Sequence, residues 1–187
     1  MTETDSLREG VLNVVRRVED DCNHSAQTHF IYGSFLKSLH YWLGVPAAVS
    51  GGIASFLLFL GSGWSTVLAV GSALAATILM SALTWLSPAE LSSEHYRAGI
   101  EYSELRKDAL SFLDTRASTP GATATELELE GLRLQEKLDW LNKTLGVIWA
   151  PRWAYECACT YIRLGRTDYD HPPSLLQATS EPLRTNR

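Results

Sequence analysis

The sequence predicts an all-α protein, a two-helix transmembrane hairpin carrying a cytoplasmic helical bundle. Three observations predict it. From Ser38 to Ala89 the chain runs for 52 residues without one Asp, Glu, Lys or Arg, although charged residues make up 20% of its 187. Only Gly61-Ser62-Gly63 interrupts this run, leaving apolar segments of 20 residues (41–60) and 23 residues (64–86). Outside it, apolar side chains recur every three or four positions, and no strand-like alternation stands out.

About 20 apolar residues in a helix cross the roughly 30 Å hydrocarbon core of a bilayer, so each segment is long enough to span. The helical hairpin of a soluble core has a similar composition, but the tryptophans argue against it. Trp42 and Trp85 fall at the outer ends of the two segments and Trp64 at the connecting turn. Antiparallel spans would put Tyr41, Trp42 and Trp85 at one interface and Trp64 at the other, as aromatic belts. A late start and an acid-rich preceding stretch argue against a signal peptide. The turn carries no cation, whereas Arg16, Arg17 and Lys37 precede the hairpin and Arg97, Arg106 and Lys107 follow it. Both termini are therefore expected in the cytoplasm. Cys22, Cys157 and Cys159 form an odd set without framework spacing, which suits a reducing compartment.

Four regions follow: an amphipathic helix leading into the membrane (1–40), the hairpin (41–87), a helical module (88–167) and a disordered tail (168–187). In the first, Leu7, Val11, Val14, Val15 and Val18 share a helical face that needs a partner, and the helix is expected to continue through Phe30, Phe35 and Leu36 into the first span. Ser87-Pro88-Ala89-Glu90 reads as a helix start, with Ser87 capping, Pro88 at the first helical position and Glu90 closing a capping box. That helix is expected to reach about Thr115, before a turn at Ser118-Thr119-Pro120-Gly121. A second capping box, Thr125 with Glu128, precedes Leu127, Leu134, Leu138, Leu141 and Leu145 at helical spacing. Pro151 is expected to break or kink this helix. A last amphipathic helix carries Trp153, Tyr155, Cys157, Tyr161 and Ile162.

Little here suits an enzyme. There is no phosphate-binding glycine loop after a strand and no nucleophile elbow. A net charge of −5 leaves no footprint for nucleic acid. Cys22, His24 and His29 lack a recognised metal-ligand spacing and read as solvated or core residues. Catalytic, cofactor and metal residues are all expected to be absent. His95 lies just past the membrane, as a proton sensor or a packing histidine. With Arg97 and Tyr102 it marks a candidate coupling region, although packing explains these three equally well.

The spans carry more information. Gly44, Ala48, Gly51 and Ser55 in the first, and Ala69, Ser72 and Ala76 in the second, form small-residue faces that let helices approach closely in lipid. Thr66, Thr77, Ser81 and Thr84 form a hydroxyl face, a candidate pore lining; the alternative is that these hydroxyls bond their own backbone. Two close-packed faces need more neighbours than one hairpin offers, so a homo-oligomer in the bilayer is expected.

From Phe30 to Ile162 the chain resembles the SLATT family, two-helix membrane effector domains of bacterial antiviral conflict systems. The residues that carry the resemblance are His40-Tyr41-Trp42-Leu43-Gly44, then Leu86-Ser87-Pro88-Ala89-Glu90, then His95, Ala98, Tyr102 and Leu105. Leu134-Gln135-Glu136-Lys137-Leu138-Asp139, Ala150-Pro151 and Tyr155 continue it. The resemblance implies a multi-pass effector that assembles in the bacterial inner membrane and permeabilises it in abortive infection. It also implies a trigger from outside this chain: a nucleotide second messenger, or a neighbouring sensor, cyclase or reverse transcriptase protein. The alternative is a membrane-anchored interaction module whose cytoplasmic helices recruit a partner.

Overall fold

The computed structural model describes residues 3–61, 63–116 and 123–165. They are helical, with no strand among the described residues. Five α-helices follow one another: α1 (Glu3–Leu60), α2 (Gly63–Leu86), α3 (Pro88–Ser111), α4 (Ala124–Leu145) and α5 (Arg152–Arg163). A π-helical turn, Phe112–Arg116, closes α3. Ser62, the turn expected at 118–121 and the tail at 168–187 lie outside the described residues.

The chain divides into two compact units, residues 33–93 and residues 1–32 with 94–187. In the first, α1 runs without interruption into the apolar segment, as its patterning predicts, and keeps Pro46 inside it. A proline there removes the hydrogen bond to the carbonyl one turn earlier and favours a bend. α1 stops at Leu60 because Gly61 takes a left-handed backbone, with φ +65°, a conformation open to glycine at little cost. α2 ends and α3 begins with one residue between them, Ser87, also left-handed at φ 39°. Its amide donates to the Leu83 carbonyl, and its own carbonyl accepts from the amides of Glu90 and Leu91. The expected capping box at this start is not formed. The Ser87 hydroxyl turns back to donate to the Thr84 carbonyl at 3.1 Å, and the backbone carbonyl starts α3 instead. Ser92 Oγ donates to the buried Gly33 carbonyl at 2.8 Å, tying α3 to α1 inside this unit.

The second unit is built on a core of three helices. α1 contributes Val15, Val18, Cys22, Ala26 and Phe30; α3 and its closing turn contribute Tyr102, Leu105, Ala109 and Phe112; α4 contributes Leu127, Leu134, Leu138 and Leu141. Each set steps by three or four residues (Leu127 to Leu134 is seven, two turns), the spacing that keeps side chains on one helical face. Leu7 and Val14 do not join this core and stay exposed, leaving Val11 half-buried beside it. At Gly99, an added Cβ would stand 2.7 Å from Phe30 Cε1, so α3 and α1 touch through a glycine. Arg106 Nε donates to Glu19 Oε1 at 2.6 Å across the same pair, and Lys137 meets Asp108 at 2.9 Å between α4 and α3.

Three other expectations are corrected. The capping box of α4 is Thr123 with Glu126, not Thr125 with Glu128. Both pairs have the right spacing, and the earlier one adds half a turn to the helix. α4 ends at Leu145 with Gly146 as its cap, so Pro151 does not break it but precedes α5. α5 buries Ala154 and Ala158 against Ile31, with Cys157 and Tyr161 at the edge, while Trp153 and Tyr155 stay exposed.

Candidate functional site

An apolar helix in a soluble core buries most of its surface. These two do not. The most apolar 18-residue windows within Ser6–Leu60 and Gly63–Thr115 are only 11% and 6% buried. Trp42, Val45, Val49, Ile53, Phe56 and Leu60 on α1, and Val67, Leu74, Ile78 and Trp85 on α2, all face outward. Apolar surface in water is unfavourable by about 25 cal/mol per Å², and patches of this extent mark a membrane or a partner. The two helices are long and apolar enough to cross a membrane.

The small residues take up several positions. Ala69 is buried; Gly44, Gly51, Ser72 and Ala76 are half-buried; Ala48 and Ser55 are exposed. The residues that α1 buries here are instead Ala47 and Ala54. With Gly51 they step by four and three, as Ser65, Ala69, Ser72 and Ala76 do on α2. That alternation keeps small residues on one face of each helix, the spacing that close helix pairs use, and it is the signal that would have found Ala47 and Ala54. A Cβ added at Gly44 would lie 3.7 Å from Leu83 Cδ1, whereas at Gly51 it would meet nothing within 4 Å.

The hydroxyl face is exposed. Thr77 donates to the Ala73 carbonyl at 2.8 Å, Ser81 to Thr77 at 2.8 Å and Thr84 to Met80 at 2.9 Å. Those three hydroxyls are thus occupied by their own helix. They line an open groove on α2 with Ala76, Met80 and Trp85. Thr66 is exposed as well.

Of the three coupling candidates, the structure brings two together. His95 on α3 is 2% exposed and its Nδ1 lies 2.9 Å from Nδ1 of His29 on α1. Tyr102 stacks on the His29 ring at 5.8 Å, and Tyr32 meets the His95 ring edge-on at 4.7 Å. The Tyr102 hydroxyl donates to Asn142 Oδ1 at 2.9 Å, so α4 closes the cluster. Arg97 is exposed. Between two facing Nδ1 atoms one must carry the hydrogen and the other accept it, so the two rings are not both protonated. Burial, and then the neighbouring His95, pushes His29 down from 6.5 to about 4. Burial also lowers His95 and raises the Tyr102 phenol.

His29 was legible only as a position: it follows Val18, Cys22 and Ala26 on the core stripe. Cys22 is fully buried, and burial, reinforced by Asp21 and Glu19, pushes its thiol up to about 12. Among the described residues no group of three or more His, Cys, Asp or Glu is placed to hold a metal ion. No family model, curated protein or solved structure matches the chain.

Proposed function

We propose that this protein is a membrane effector of the SLATT kind, whose hairpin spans the bacterial inner membrane and whose remaining helices form a cytoplasmic bundle. On this reading it assembles into oligomers that permeabilise the membrane, arresting an infected cell. The observation that carries the reading is the outward apolar surface of α1 and α2, unbroken by any Asp, Glu, Lys or Arg from Ser38 to Ala89. Glycine at position 51 supports assembly. It is half-buried yet has open space where a side chain would stand, room for the backbone of another copy. The trigger acts on the bundle, as a nucleotide second messenger or through a neighbouring sensor, cyclase or reverse transcriptase protein.

One observation favours a second reading. Thr77, Ser81 and Thr84 bond their own backbone, which suits a hairpin that anchors an interaction module and lines no pore. Expression in bacteria separates the two. Under the effector reading Gly51→Leu, at a position where an added Cβ meets nothing within 4 Å in the chain itself, blocks assembly and abolishes growth arrest, as does Ala76→Leu. Unchanged killing by both variants contradicts that reading. Under the anchor reading, exchange of residues 41–87 for an unrelated hairpin preserves function.

A further inference from the structure

α5 lies on α1 through Ala154 and Ala158, and beside that seam four titratable side chains converge. His24 Nδ1 is 3.6 Å from Cys159 Sγ. The opposite ring nitrogen, Nε2, is 3.7 Å from Asp20 Oδ1, one helical turn back on α1. The Tyr155 ring sits 5.9 Å from the imidazole. A carboxylate at Nε2 favours the tautomer with the hydrogen there, which leaves Nδ1 bare and facing sulfur. This is the order of parts that activates a nucleophile: thiol, base, and a group that orients the base.

We infer that Cys159 is the reactive thiol of this chain, a modification site for low-molecular-weight disulfides, with His24 as its proton acceptor and Asp20 orienting the imidazole. The reaction is thiol–disulfide exchange. Cys159 sulfur attacks one sulfur of the small disulfide, a new S–S bond forms and the old one breaks. The thiol proton passes to His24 Nδ1 and from there to the departing thiolate. One disulfide is consumed, one mixed disulfide and one free thiol are made, and no other oxidant is needed.

The other two cysteines lack these features. Cys22 is fully enclosed and its thiol is pushed up to about 12 by burial, then by Asp21 and Glu19. Cys157 packs at the edge of the Ile31, Ala154 and Ala158 cluster; two residues from Cys159 on a helix, it points elsewhere. Cys159 is half-buried, within reach of a small reagent. The titratable groups in this cluster are His24, with Asp20 beside it, and Tyr155, on which Asp20 and Asp21 both act. The Tyr155 phenol is raised, first by its hydrogen bond to Cys159 and then by the coulombic effect of that residue. The two aspartates make a neutral reagent the right probe.

The test is treatment of the full-length protein in detergent micelles with hydroxyethyl disulfide between pH 6 and 9, following adducts by intact mass and peptide mapping. Cys159 is expected to react first, at least about tenfold faster than Cys157 at pH 7. His24→Gln should slow Cys159 by about tenfold or more at pH 7 and leave Cys157 unchanged. Asp20→Asn, at an exposed position where folding is not at stake, should slow it less. In the unaltered chain the ratio of the two rates should fall as pH rises through about 8.5, where an unassisted thiol ionises by itself. Equal rates at Cys157 and Cys159 across this range, or a Cys159 rate unmoved by both substitutions, would overturn the assignment.

Discussion

Two imidazoles can share one hydrogen between their Nδ1 atoms as long as the accepting nitrogen stays unprotonated, and burial disfavours a charge on either ring. His29 and His95 are in that state, enclosed by Tyr32 and Tyr102. The sign of the pH effect follows. Folding lowers the His29 value from 6.5 to about 4 and lowers His95 too, so the native state favours the neutral rings. Their contribution is fully present above 6.5 and is lost as pH falls toward 4. For His29 the loss is on the order of 3 kcal/mol, from about 1.4 kcal/mol per pH unit. The melting temperature should therefore drop steeply between pH 6.5 and 4.5. In the double variant His29→Phe, His95→Phe that part of the drop should disappear; an unchanged slope would show that carboxylates alone set it. The sequence pointed to His95 and Tyr102 through their position just after the second apolar segment, with packing as the equal alternative. It did not pair His95 with His29, because the two, 66 positions apart, come together only once α1 and α3 share a core.

Glycines show how an element's packing decides the sign of a substitution. Gly99 lies where α3 touches α1, and an added Cβ would meet three ring atoms of the buried Phe30 at 2.7 to 3.0 Å. Gly10 on α1 has nothing within 4 Å of such an atom. Alanine in a helix gains up to about 1 kcal/mol over glycine, while overpacking a core costs about 1–3 kcal/mol. Gly10→Ala should accordingly raise the denaturation midpoint, and Gly99→Ala should lower it. The same change of midpoint in both would mean that the Phe30 contact is not close. The elements were largely legible: the apolar segments 41–60 and 64–86, and the face His95, Ala98, Tyr102 and Leu105, which is buried throughout. The misreadings have separate causes. The aromatic residues of α5 marked its buried face by size, yet helices that approach closely bury what is small, here Ala154 and Ala158. Ala47 and Ala54 were missed because the small-residue face of α1 was set on Gly44, Ala48, Gly51 and Ser55, of which Ala48 and Ser55 are exposed. Thr123 and Thr125 each have a glutamate three residues on, and spacing alone does not choose between two equivalent caps.

At the scale of the whole molecule, two kinds of surface coexist in one chain. Residues 3–32, 94–116 and 123–165 close a core of ordinary composition, stapled by Arg106 to Glu19 at 2.6 Å. The apolar parts of α1 and α2 close almost nothing, with Trp42, Trp64 and Trp85 at 76%, 84% and 86% exposure. Such a surface needs lipid, further copies, or both, and the effector and anchor readings differ in whether copies leave an opening between them. Dye release from liposomes carrying the purified full-length protein decides this most directly, with and without a panel of cyclic oligonucleotides. The effector account predicts that dye escapes, constitutively or on addition of one such ligand. Vesicles that remain tight under every condition, with insertion of the protein confirmed by protease protection, would contradict it.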